Sequence, residues 1–428
     1  MLAVPAMQLI AYLALPAHAG EKILSDADNN LILTSSALVL LMTPGLAFFY
    51  GGFTQAKNVL NTMIMSFVMM GIATIVWLIF GFSLSFSDGG SLNAFIGNPF
   101  TYSFFENVPE VWDGLQIPGL SFALFQGMFA IITPALISGA LVERISFRFW
   151  CFFTPIWLLI VYAPLAHMVW GGGLLGKDLD FAGGTVVHIS SGVSALVLAS
   201  LIGSRSNHPA GIKPSHNITQ ILLGTGLLWF GWFGFNGGSQ LAVGGAELPF
   251  TTTHISAAAG LITWGFIEYI NEGKSTSVGM ATGAVSGLVG VTPAAGFVNP
   301  ASGMIIGLIT SVLCYYSIKL KNKLQFDDSL DTFAVHGVGG TVGALLTGIF
   351  AQYDLISSHP AGQVLLEKGR IGLVLGQFQA VIIAYSISAI GTFLIALILK
   401  KGGIQFRVSK EEEEKGLDLT EHGEKSYI

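Results

Sequence analysis

Hydrophobic positions along this chain come as near-continuous apolar runs rather than alternating or one-faced stripes. Each run is about 20 residues, long enough to cross a bilayer as a helix. Eleven runs are read, at 31–53, 58–86, 120–142, 149–172, 181–203, 219–239, 251–271, 277–294, 299–320, 332–352 and 371–400. They predict an all-α polytopic membrane protein. An odd number of spans invites a search for two five-helix halves of opposite orientation. LMTPGLAFFYGG in span 1 is matched by LLWFGWFGFNGG in span 6. ITPALISGA in span 3 is matched by VTPAAGF in span 8, and DFAGGTVVH in span 5 by DTFAVH in span 10. All three matches are offset by five spans, which predicts an inverted repeat with the eleventh helix outside it.

Basic residues set the orientation. With the N-terminus outside, the inner loops hold Lys57, Arg144, Arg148, Arg205, Lys213, Lys274, Lys319, Lys321 and Lys323, and the C-terminal end adds six more. Only Lys22, Lys177, Lys368 and Arg370 fall outside. Such a positive-inside bias predicts an N-out, C-in chain.

Composition sharpens the class. The 428 residues are 52% hydrophobic and 10% charged, against about 25% charged in soluble domains. The 54 glycines suit a tight bundle, because small residues let helices in lipid approach closely. Cys151 and Cys314 lie in apolar segments and give neither a disulfide framework nor a metal-ligand spacing. Residues 1–19 resemble a signal peptide, with MQLIAYLAL as its apolar core and Ala17-His18-Ala19 as its cleavage site. The alternative is a retained extra helix, although about 15 apolar residues is short for a span. The remaining division is 20–401 as the membrane domain and 402–428 as a charged cytoplasmic tail.

Against this background, two histidines stand out. His188 lies in TVVHISSG, eight residues after Asp180, about 12 Å along a helix. His336 lies in TFAVHGVGG, five residues after Asp331. Either alone fits a core histidine bonded to a neighbouring hydroxyl. The same placement in both halves favours function, since ionisable groups inside a membrane are costly. Counted from Asp180 and Asp331, the two rings would sit at different depths, so contact between them does not follow from spacing.

Aromatic residues form a second group. Phe125 and Phe129 are four apart, on one helix face. Trp232, Phe235 and Ser239 lie in one run, and Trp170 ends span 4. Spans 4 and 6 end outside and span 3 begins there, so Trp170, Phe125 and Ser239 can line an outer vestibule. Ring faces attract desolvated cations, which suits an ammonium-like ion. Packing and an interfacial belt are the plainer uses of these rings. His167, His254, His208, His216 and His359 are read as structural or loop residues. Glu143 and Glu268 are expected to pair with Arg144 or Lys274 at inner helix ends.

HMVWGGG, LDFAGGTVVHI, GWFGFNGGS and DDSLDTFAVHGVGG resemble the ammonium transporter (Amt/Rh) family, in its bacterial Amt branch, over everything after about residue 25. The resemblance implies eleven helices with an inverted five-helix repeat, assembled as a homotrimer in the inner membrane. It implies no cofactor, no metal and no enzyme activity. It makes Phe125, Trp170 and Ser239 the outer recruiting site, and Phe129 and Phe235 a phenyl gate. His188 and His336 become paired pore imidazoles, and Asp180 a residue needed for folding or for favouring a cation. GLDxxxHGExxY in the tail resembles the family's regulatory segment, with a PII-type signalling protein as partner; composition alone would read the tail as solvated and disordered. The expected cargo is ammonium, with methylammonium as analogue, in a lipid-embedded protein that binds no nucleic acid.

The chemistry has its own logic. Carrying bare NH4+ through a dry pore costs an idealised Born penalty of order 20 kcal/mol, and K+ of similar size would follow it. Removing one proton solves both problems, because ammonia is neutral and K+ has no proton to lose. Two bonded imidazoles can accept and relay that proton. The rival readings are an ammonium sensor signalling through its tail, and a membrane metalloenzyme. The latter needs three or four converging ligands, and the sequence offers no third at matching depth.

Overall fold

The computed structural model describes residues 23–209 and 214–427; the expected signal peptide, 1–19, lies outside the described residues. Helices follow the apolar runs in order: α1 (Asp26–Phe53), α2 (Ala56–Phe86), α3 (Gly119–Ala140), α4 (Phe147–Trp170), α5 (Gly184–Ile202) and α6 (Ile218–Gly237). Next come α7 (Glu247–Glu272) and α8 (Ser277–Val291). The last long helices are α9 (Pro300–Lys323), α10 (Phe333–Phe350) and α11 (Pro360–Lys401). Nine helices among the described residues are long and apolar enough to cross a membrane. The exceptions are α7, with Glu247, Glu268 and Glu272, and α8, of 15 residues. α8 is buried from Gly279 to Val291 except at Met280. Its neighbours, not lipid, are its solvent. α11 begins earlier than its apolar run, and Gly369, at φ 66°, breaks it into a short first piece and a long apolar one.

Several helices widen locally to π geometry, a feature common at functional sites. Among these stretches are Gly184–Ile189, Phe233–Gly237 and Phe333–Val338, which carry His188, Phe235 and His336.

A charged knot locks the ends of α3, α5 and α9 together. Arg144 is fully buried, and its guanidinium donates to the carbonyls of Gly203 (2.8 Å) and Asp327 (2.6 Å). Arg205 pairs with Asp327 at 2.8 Å and with Glu143 at 3.1 Å. Two expected pairings are therefore corrected. Glu143, at φ 72°, meets Arg205 and the Gln55 amide rather than its chain neighbour Arg144. Glu268 accepts from Thr276 N (2.7 Å) and Trp264 Nε1 (3.2 Å), holding the turn into α8, while no ion pair forms with Lys274. A buried carboxylate near a chain end serves whichever donors the fold brings, not the nearest cation in sequence.

Burial pushes the Asp327 carboxyl up, but the Arg205 hydrogen bonds and the Arg144 and Arg205 charges outweigh it and hold the group down at about 2. A depressed carboxyl stabilises above its unfolded pKa, about 3.9, and loses that contribution as pH falls toward 2. Asp328, pushed up to about 6 first by burial and then by Asp331, works in the opposite sense: its penalty is shed as pH falls from about 6 to about 3.9, so it adds nothing to a slope below pH 4. Thermal unfolding in detergent is thus expected to show falling stability below pH 4. Asp327→Asn should flatten that slope; an unchanged acid slope in the variant would remove Asp327 as its source.

The tail is docked rather than solvated. Short helices α12 (Lys410–Lys415) and α13 (Leu417–His422) lie under the turn between α1 and α2. Lys57 Nζ donates to the carbonyls of Glu413 and Glu414, at 2.9 and 2.6 Å. Asn61 N donates to Asp418 Oδ1, and Leu417 N to Asn58 Oδ1. Composition misses this because the contacts use backbone groups and a few capping side chains.

Candidate functional site

His188 and His336 meet. Their Nδ1 atoms are 3.2 Å apart, the ring centroids 5.2 Å apart, and the planes inclined by 26°. One Nδ1 must carry a proton and the other a lone pair, so the contact requires at least one neutral ring. His188 Nε2 is buried without a hydrogen-bond partner among the described residues, a polar atom left over at the wall of a cavity.

That cavity has a volume of only about 10 Å³. This is about what a single water needs. Its walls are Met42, Leu46, Phe49, Ile132, Leu136, Val187, Leu228 and Val285, with Trp232, Phe235 and the two histidines. Apart from the imidazoles, the only side-chain nitrogen or oxygen that the described residues bring to it is Trp232 Nε1, and that donates to Thr292 Oγ1 at 2.9 Å. The passage is narrow and apolar.

Rings continue from the cavity toward the other end of α3. Phe235 lies 6.1 Å from His188 and 4.3 Å from Phe129, the phenyl planes inclined by 35°. Phe129 meets Phe125 edge-on at 5.0 Å and Trp170 at 6.1 Å. Trp170 Nε1 donates to the Asp180 carbonyl (2.9 Å), which fixes the indole plane. The Ser239 hydroxyl donates to the Phe235 carbonyl (2.8 Å), and the adjoining Gly238 lies against the Phe125 ring. Residues from α3, α4 and α6 thus converge above the two π-widened histidine helices.

Residues 30–427 match the model of the Ammonium Transporter Family. The chain belongs to that family. It is 43% identical to the ammonium transporter of Bacillus subtilis (strain 168), over 94% of this chain and 98% of that one. Saccharomyces cerevisiae Mep2 has the same fold, with a TM-score of 0.82 at 36% identity, over 91% of this chain and 88% of that one. A structure described as a sensor Amt protein matches with a TM-score of 0.84 at 32% identity, over 93% and 98%. The family is one of multi-pass membrane transporters rather than enzymes.

In this ammonium transporter family member, Asp180 is committed to the start of the next helix. Its carboxylate accepts from the amides of Gly183 (2.8 Å), Gly184 (2.6 Å) and Thr185 (2.7 Å), and from the Thr185 hydroxyl. It caps the helix that carries His188, satisfying donors that would otherwise be orphaned. The same job in the other half falls to Asp328, which accepts from Thr332 N (3.0 Å) and Phe333 N (2.7 Å). The sequence match had paired Asp180 with Asp331. Asp331 instead takes φ 59° and pairs with Lys321, in the register where Gly183 takes φ 114°. Asp328 precedes His336 by eight residues, as Asp180 precedes His188. With the caps matched this way the depth difference disappears, and the rings can touch.

Trp232, which the sequence placed in the aromatic run without a role of its own, lies against His188. Its indole stacks on His188 at 5.4 Å and 24°. The signal was present as Leu228, Trp232 and Phe235 on one helix face. Of the other histidines, His167 bonds the carbonyls of Ser85 and Asn93 at 3.1 and 2.8 Å, as a structural histidine should.

Proposed function

We propose that this chain recruits NH4+ at Phe125, Trp170 and Ser239, removes a proton, and conducts ammonia past Phe129 and Phe235 and along His188 and His336. The supporting observation is the bonded imidazole pair facing a single-file apolar cavity. Desolvating the intact cation there would cost far more than passing a neutral molecule that can donate to, and accept from, a ring nitrogen. The paired rings accept the proton in the only polar part of the cavity, and either lose it outward or relay it separately. Eleven spans with an inverted repeat, an N-out orientation and a homotrimer in the inner membrane complete the reading. Uptake by proteoliposomes on an ammonium jump tests it, with K+ as the competing ion.

Trp170→Leu keeps apolar bulk and removes the ring face. Cation–π attraction of about 0.5–2 kcal/mol makes a several-fold weaker concentration dependence of methylammonium uptake the expected result. Unchanged concentration dependence would make Trp170 a packing residue.

The tail is the place for regulation by a PII-type partner. Gly416 sits at φ 108°, where a Cβ would lie 2.7 Å from Lys57 Cβ and 2.8 Å from the Lys57 carbonyl. Gly416→Asp should therefore undock the tail, and it or truncation after Lys401 should lower uptake while the protein remains in the membrane. Full uptake and full response to the cytosolic regulator would make the tail a bystander.

A second reading is sensing, favoured by the similarity to a structure described as a sensor Amt protein and by the docked tail. Proteoliposomes that bind ammonium but show no uptake would select it.

A further inference from the structure

Where α5 and α11 end on the tail side, two surface cavities share Leu201, Lys400 and Phe406. The one nearer the membrane is a largely apolar slot walled by those residues with Phe393, Ala396 and Leu397. The other is a more polar recess that Arg407 and residues 403–405 also line. A slot between two membrane helices thus runs into a basic recess.

We propose that the slot and recess together bind one anionic diacyl phospholipid of the tail-side leaflet. An acyl chain lies along Leu201, Phe393 and Leu397, and the phosphate faces Lys400. The proposal rests on the chain's being a membrane protein and is independent of how ammonium crosses the pore.

Charge and medium favour this occupant. Lys400 is exposed and has no ion partner among the described residues. Arg407, by contrast, is held by Glu413 (2.7 Å) and the Ile202 carbonyl (3.2 Å). The recess therefore offers one free cation, suited to one phosphate. The same face of α11 exposes Ile390, Phe393, Leu394 and Ile398, side chains that only an apolar medium covers without cost. A lone lysine at a helix end would simply snorkel. Here it stands between an apolar slot and a polar recess, the arrangement of basic interhelical pockets that hold lipid headgroups.

The site touches the tail. Phe406 packs on Phe149 with centroids 4.4 Å apart, and its carbonyl accepts from Ser146 N at 3.1 Å. A lipid against Phe406 supports the point where the tail leaves the membrane domain.

The test reconstitutes the full-length protein with phosphatidylglycerol bearing a photoactivatable acyl chain and maps the labelled peptides. Labelling is expected at residues 393–407 and around Leu201. Unlabelled phosphatidylglycerol should compete about five-fold better than phosphatidylcholine of the same chains, the scale of one juxtamembrane lysine. Lys400→Gln should abolish that preference, and Leu201→Trp, which fills the slot from the surface, should reduce labelling by either lipid. Equal competition by the two lipids, or label spread evenly over α2 and α11, would overturn the proposal. So would absence of label because a second copy of the chain covers the slot.

Discussion

Replacing both His188 and His336 with alanine is expected to cut ammonium uptake about a hundredfold or to admit K+, with the fold intact. Proton transfer by a positioned side chain contributes about 10²–10⁴ in rate, and these rings are the only groups in the cavity able to take a proton. Alanine adds no charge, and the remaining walls include the apolar side chains of Leu46, Ile132 and Val285. Two outcomes are consistent with deprotonation. If the passage stays dry, uptake collapses; if water fills the space, ions pass and K+ currents appear. A double variant that carries ammonium at the normal rate and still excludes K+ would end the deprotonation mechanism. Elution volume and melting temperature in detergent separate either result from misfolding.

The helices and the two histidines were legible because lipid imposes simple demands. A span needs a long apolar run, and an imidazole inside one is conspicuous. The ring residues followed from spacing plus resemblance, and the structure brings Phe129, Phe235 and His188 into one stack. What escaped was set by backbone geometry. Nothing in residue type distinguishes Asp328 from Asp331 as a helix cap, and choosing the wrong one misplaced His336 in depth. Arg205 and Glu143 are 62 positions apart, so their pairing depends on three helix ends meeting. The tail looked solvated because its charges were counted, whereas its docking depends on Gly416, Asp418 and backbone carbonyls.

Glycine at the helix crossing gives the second large effect. α5 and α10 cross with Gly192 against the turn after His336. A Cβ on Gly192 would lie 2.2 Å from Gly337 N and 2.5 Å from Gly337 Cα. Both are backbone atoms of a buried helix and cannot swing aside as a side-chain tip could. The helices must then separate by roughly 1 Å to restore van der Waals contact. The imidazole contact, at 3.2 Å, would pass beyond hydrogen-bond range. A Cβ on Gly340, four residues after His336 as Gly192 is after His188, would lie 2.9 Å from the Gly184 carbonyl and 3.0 Å from the His188 Cβ, so the crossing offers little slack on its other side. Displacement of about 1 Å in a reacting geometry can cost on the order of 10² in rate. Gly192→Ala is therefore expected to lower ammonium uptake by tenfold or more. The matched control is Gly71→Ala, where a Cβ meets nothing within 4 Å and alanine favours the helix. Wild-type uptake by Gly192→Ala would mean that the two histidines need not touch for ammonium to pass.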